Sequence, residues 1–82
     1  MAAVNDFREN LATAMEARGL KKINVAAAAK TSRSYLDNVL KGEVDPSMTL
    51  CERLSKAVGF PLVALLDSPK NFSESVLTTV LD

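Results

Sequence analysis

Apolar residues recur along this chain at the three-and-four spacing of an α-helix, in successive short blocks separated by glycine, proline or small polar residues. Phe7, Leu11, Ala14 and Met15 mark a first helix, with Asn5 or Asp6 able to cap its start and Gly19 placed to end it. A second short helix is expected from about Lys22 to Ala29, with Ile23, Val25, Ala26 and Ala29 inward. Lys30, Thr31 and Ser32 interrupt the pattern. Ser32 can then cap a third helix over Arg33 to Leu40, with Leu36, Val39 and Leu40 inward and Gly42 at its end. Pro46 bars the residue before it from helix and opens the way to a fourth helix, about Ser47 to Val58, burying Met48, Leu50, Cys51, Leu54, Ala57 and Val58. Gly59 stops it. A fifth short helix starts near Pro61, and Pro69 breaks the chain again. In the tail, Phe72, Val76, Leu77, Val80 and Leu81 fall on one helical stripe, although the Val and Thr content there also suits a strand. The expected fold is all-α, five helices followed by an extra C-terminal helix or strand.

Length and composition narrow the picture. A chain of 82 residues suits one domain, and at this size only about 60–65% of the unfolded surface is buried on folding. Phe7, Tyr35, Phe60 and Phe72 are its four aromatic residues, so the core must be mostly Leu, Val, Ala and Met. With no histidine and a single cysteine, Cys51, there is neither an internal disulfide nor a zinc constellation, and Cys51 reads as plain core. The opening MAAVNDFREN turns polar within five residues, unlike a signal peptide, and no apolar run approaches the roughly 20 residues of a membrane span. A reducing, cytoplasmic setting is the expectation, with no membrane partner. No paired acid and base, activated nucleophile or phosphate-cradling glycine loop stands out, so an enzyme is not expected, nor any cofactor, metal or small-molecule ligand.

Net charge is zero, but it is unevenly laid out. Residues 18–41 hold six bases against Asp37 alone, a net of +5, between flanks of −2 and −3. That basic stretch contains four consecutive alanines, Ala26 to Ala29. The second and third helices are joined by only a few residues, which forces a sharp crossing and close backbone approach, and Ala26 is small enough to allow it.

Residues 22–41 resemble the helix-turn-helix of the phage-repressor family, the Cro/C1 or XRE-like kind with a lambda-repressor-like fold. Taking Lys22 as the first motif position, the apolar fourth is Val25, the small fifth Ala26, the eighth Ala29, the fifteenth Leu36 and the eighteenth Val39. LCERLSKAVGFPLVALL is similar to the family's fourth and fifth helices, so the likeness runs from about Phe7 to Leu66. It implies a DNA-binding domain over 1–66, with 67–82 as a dimerisation segment. Three positions depart from the family. The ninth, usually a glycine in left-handed conformation, is Lys30, which would carry a penalty of about 1 kcal/mol there. A common arginine–glutamate pair between the first and third helices is replaced by Met15 and Leu40, which should touch. The usually basic loop after the third helix holds Glu43 and Asp45, acids that should repel a nearby phosphate.

The resemblance also implies roles. A helix in the major groove reads base edges along one face, and by motif position Arg33, Ser34 and Asn38 are the base-contact candidates, with Asp37 next. Arg33 suits guanine, Asn38 adenine, and Asp37 the amino group of cytosine. Lys22 stands where the family often has a phosphate-contacting glutamine. Lys21, Lys30, Ser32, Tyr35, Lys41, Met48 and Thr49 complete the phosphate candidates, the last two through backbone N–H groups at a helix start. Blander readings stand beside these. Arg33, Asp37 and Lys41 are spaced for a solvated ion-pair ladder, Ser32 is a cap whatever else it touches, and Tyr35 can be a packing residue.

Tight binding by such a module generally needs two copies on a palindromic operator in double-stranded DNA. A homodimer is therefore expected, through Phe60, Leu62, Val63, Leu66, Phe72, Val76, Leu77 and Val80. The tail docked as extra core, or exchanged as a strand, are the competing readings. Because the family often carries a further C-terminal oligomerisation domain, the ending VLTTVLD is also compatible with a chain that continues. The functional expectation is a transcriptional repressor of phage or prophage type. The alternative is a protein-interaction module of the same fold, such as an antitoxin.

Overall fold

The computed structural model describes residues 2–81, with the side chains of 4–78. Among these residues the chain is all-helical: α1 (Ala2–Ala17), α2 (Lys22–Ala28), α3 (Arg33–Lys41), α4 (Met48–Val58), α5 (Leu62–Leu65) and α6 (Pro69–Leu81). Helix α1 begins ahead of the expected caps, so Asn5 lies inside the helix, where its Oδ1 accepts a bond from Arg8 at 2.7 Å. Ser32 and Ser47 do cap, accepting the N–H of Tyr35 at 3.0 Å and of Leu50 at 3.1 Å. Each such cap satisfies one of the four N–H groups a helix start leaves open, worth about 1 kcal/mol.

The core follows the stripes. Phe7, Leu11, Ala14, Val25, Ala26, Ala29, Leu36, Val39, Leu50, Leu54, Val58 and Leu65 are all buried, and Met15 and Leu40 pack into the same cluster. Ile23 and Met48, expected inward, are instead about 60% exposed (61% and 60%). Each sits two residues before the first buried residue of its helix, Val25 or Leu50, hence roughly 200° round the axis. The stripe that includes Val25 or Leu50 points the earlier residue at solvent.

The tail differs most from expectation. Helix α6 packs along α1 of its own chain, and Phe72 and Val76 are core residues, 1% and 7% exposed. Phe60 is buried too, edge-on to Phe72 with ring centroids 5.2 Å apart. These three residues, expected at a dimer surface, are therefore spent on the interior. A domain this small gains more from covering the apolar side of α1 than from leaving that side open. Leu62 and Leu66 are half-buried against the same core, while Val63 and Leu77 remain 75% and 62% exposed. The side chain of Val80 lies outside the described residues. The described tail is helix, not strand.

Helix C-termini leave carbonyls without partners, and here arginines from distant parts of the chain supply donors. Arg8 of α1 donates through Nε to Val39 O at the end of α3 (2.5 Å) and through Nη2 to Val44 O (3.4 Å). Arg18 donates to Gly59 O after α4 (3.4 Å) and lies over the Phe60 ring, 4.4 Å from its centroid. Arg53 of α4 donates through Nε to Ala29 O at the end of α2 (2.8 Å). A guanidinium at such a position also complements the negative end of the helix dipole. Buried Asn10 does similar work for α5: its Nδ2 bonds Leu65 O at 2.9 Å and Asp67 O at 2.8 Å, tying α1 to the turn that launches α6. Among the described residues no helix is long and apolar enough to cross a membrane.

Candidate nucleic-acid interface

The surface in question is the outer side of α3, and its rigidity starts with its ends. The inward face is anchored by Leu36 and Val39, both 0% exposed. Ser32 fixes the start. At the finish Gly42 takes φ 82°, which lets Glu43 N–H reach back to Asn38 O at 2.9 Å and close the last turn. The Arg8 guanidinium lies about 3.6 Å from where a Gly42 Cβ would stand, so the loop and α1 meet closely here.

The link from α2 is a second tight closure. Thr31 N–H bonds Ala26 O at 2.9 Å and Lys30 N–H bonds Ala27 O at 3.1 Å, leaving Lys30 at φ 59°. Among the described residues it is the one non-glycine with positive φ, as its motif position implied. Arg53, bonded to Ala29 O, holds the same turn from below. Sequence reasoning gave Arg53 no role, because nothing local marks a side chain that acts 24 residues away.

Arg33, Ser34 and Tyr35 stand exposed at the amino-terminal end of α3, and Asn38 is half-buried one turn on. Lys21, Lys30, Ser32 and Lys41 are exposed around them, and Lys22 is half-buried. The Arg33 side chain has no hydrogen-bond or ion-pair partner among the described residues, which leaves its guanidinium open to solvent. Met48 and Thr49 are exposed at the start of α4, and their N–H groups have no acceptor among the described residues.

Asp37 is the member of the set whose surroundings were not legible in advance. Its Oδ1 takes Lys22 Nζ at 2.6 Å, and its Oδ2 takes Lys41 Nζ at 2.9 Å. The hydrogen bond from Lys22, then that from Lys41, hold its carboxyl down at about 2, and the same contact raises Lys41. The ladder suggested by spacing is thus realised only on its Lys41 side, and the other partner comes from α2. In the following loop Asp45 turns back to Arg8, Oδ1 to Nη2 at 3.2 Å, while Glu43 stays exposed. One of the two acids expected to repel phosphate is therefore paired within the domain. Burial raises the Cys51 thiol, in keeping with a core residue.

This arrangement is a short helix braced on one side, with polar and basic groups on the other, docked on a second short helix through a four-residue link. A helix-turn-helix family model matches residues 11–65, more than half of the chain. No curated protein and no solved structure gives a significant match.

Proposed function

Because the chain belongs to the helix-turn-helix family of the XRE/Cro kind, a family of DNA-binding regulators, we propose that it is a cytoplasmic, sequence-specific transcriptional repressor of phage or prophage type. It binds a palindromic operator as a homodimer, with α3 in the major groove. The observation that carries this reading is the exposure of Arg33 and Ser34 at the start of a helix whose opposite face is anchored in the core by Leu36 and Val39. A base-reading side chain must face solvent from a backbone that is held still.

In this reading Arg33 bridges O6 and N7 of a guanine, Asn38 pairs with adenine, and Ser34 accepts either, each bidentate contact supporting about 1–3 kcal/mol of discrimination. Lys21, Lys22, Lys30 and Lys41, with the start of α4 at Met48 and Thr49, lie along the flanking phosphates and set register. The domain measures 32 × 27 × 19 Å. Its long dimension is close to the ~34 Å of one duplex turn, which suits two copies side by side on successive half-sites. Among the described residues of the expected dimer surface, exposed Val63 and Leu77, with half-buried Leu62 and Leu66, remain for the contact between them. Repression follows most simply from a small domain occupying a promoter.

A second reading has one observation in its favour. Asp37 neutralises part of the basic surface and Glu43 adds a negative charge to its rim, as would suit a protein partner such as the toxin of an antitoxin pair. Selection of bound sequences from a random duplex pool separates the two. The repressor reading expects a two-fold half-site, and Arg33→Ala relaxing preference at one base position without lowering the melting temperature. No enriched sequence, together with no salt-sensitive binding to random duplex, refutes it in favour of the interaction module.

A further inference from the structure

Lys22 and Lys41 come from opposite ends of the helix pair, yet they converge on one carboxylate. Asp37 uses both of its oxygens, one per lysine, at 2.6 and 2.9 Å. All three side chains also face solvent: Lys22 keeps 41% of its surface, Lys41 60% and Asp37 28%. The group that occupies these ammoniums is therefore an anion at the surface, where a phosphate oxygen of a duplex would compete for the same donors. An aspartate so placed stays ionised at any neutral pH.

The trio carries a net +1 in place of the +2 of the lysines alone. Non-specific affinity for a duplex depends on how many phosphates the protein neutralises, since each releases condensed counterions. A carboxylate already seated between two donors lowers that number on every sequence alike. Arg33 and Asn38 lie outside the trio, so their contacts to base edges are not reduced by it. The sequence-independent affinity common to matched and random DNA is thereby lowered, while the contrast supplied by the base contacts is kept.

We propose that Asp37, bridging Lys22 and Lys41, is a positioning residue that tempers sequence-independent affinity by competing with DNA phosphates for those two lysines rather than reading a base itself. The proposal rests on the DNA-binding reading above. It assigns Asp37 a different role from that of a cytosine acceptor, and it explains why an acid sits in the middle of the most basic stretch of the chain. Glu43, the other acid near Lys41, adds a weaker effect from the loop.

The test compares the full chain with Asp37→Asn, titrated with random duplex across a salt series and with a duplex taken from the selection above. Loss of the carboxylate is expected to tighten random-duplex binding several-fold at low salt. It also steepens the plot of log K against log salt by about one phosphate equivalent, roughly 0.9, on random and matched duplex alike. A purely structural ion pair would move the melting temperature and leave the salt slope alone. Lys22→Gln gives the converse measure: it takes the trio from +1 to 0, leaving Asp37 wholly on Lys41, and reduces the slope by about one phosphate equivalent. An unchanged slope in Asp37→Asn or in Lys22→Gln, or weaker random binding by Asp37→Asn, overturns the proposal. If parent and Asp37→Asn both ignore duplex DNA at low salt, it is the DNA-binding reading itself that fails.

Discussion

Replacing Lys30 by glycine should make this protein more stable, although it removes a side chain and adds none. Lys30 sits at φ 59°, a region in which Cβ crowds the following carbonyl. It cannot relax out of that region cheaply. Its own N–H is bonded to Ala27 O, that of Thr31 to Ala26 O, and Ala29 O is held by Arg53. The left-handed residue costs about 1–2 kcal/mol when it carries a Cβ, and glycine in turn gives up about 0.5–1 kcal/mol of backbone freedom on folding. The net gain is about 0.5–1 kcal/mol. An unfolding entropy of about 2.1 cal/mol/K per residue amounts to roughly 0.17 kcal/mol/K for this chain, so the expected rise in melting temperature is about 3–6 °C. Lys30→Ala is the necessary control, because it removes the same charge and keeps the Cβ. Thermal melts followed by far-ultraviolet circular dichroism should place Lys30→Gly above both Lys30→Ala and the parent. A glycine variant melting at or below the alanine variant would falsify the claim that this turn stores strain. If Lys30 also contacts phosphate, both variants should lose duplex affinity equally, which separates the two roles of one residue.

Two further outcomes follow from the geometry. Phe72→Ala should cost about 3–5 kcal/mol in denaturant unfolding, because the ring is core to the domain that carries it; near-parent stability with lost self-association would instead return α6 to a dimer interface. The Asp37 carboxyl is held at about 2, below its ordinary 3.8, so its ionised form contributes stability near neutral pH that is lost as pH falls through that interval. Asp37→Asn should flatten the acid limb of the melting curve between those values, and a limb parallel to the parent's would show that the pair contributes nothing to folding.

Much of the fold was legible because its signals are local. Ser32 and Ser47 announce helix starts, Gly42 and Gly59 announce ends, and the spacing of Leu36 and Val39 or of Leu50, Cys51, Leu54 and Val58 gives the buried faces. The strained turn at Lys30 was legible through its motif position. What escaped was anything depending on a partner far along the chain. The stripe of Phe72 and Val76 says that a helix has an apolar side, but not whether that side meets α1 or another molecule. Ile23 and Met48 were misplaced because each lies in the first turn of its helix, two residues ahead of the first buried position and so turned away from it. At the candidate site, the exposure of Arg33 followed from the inward set of α3, whereas the engagement of Asp37 by Lys22 joins residues 15 apart and carries no local signature. The same holds for the pairing of Asp45 with Arg8.

The three arginines that reach across to other helices have a consequence for how the domain opens. Arg8, Arg18 and Arg53 each satisfy a carbonyl 31, 41 or 24 residues away. No helix terminus among these three is complete until a helix from elsewhere has arrived, so partial unfolding strands a carbonyl and a guanidinium together. Fraying of the individual helices is discouraged, and native-state hydrogen exchange should find the backbone amides of α2, α3 and α4 opening as one unit.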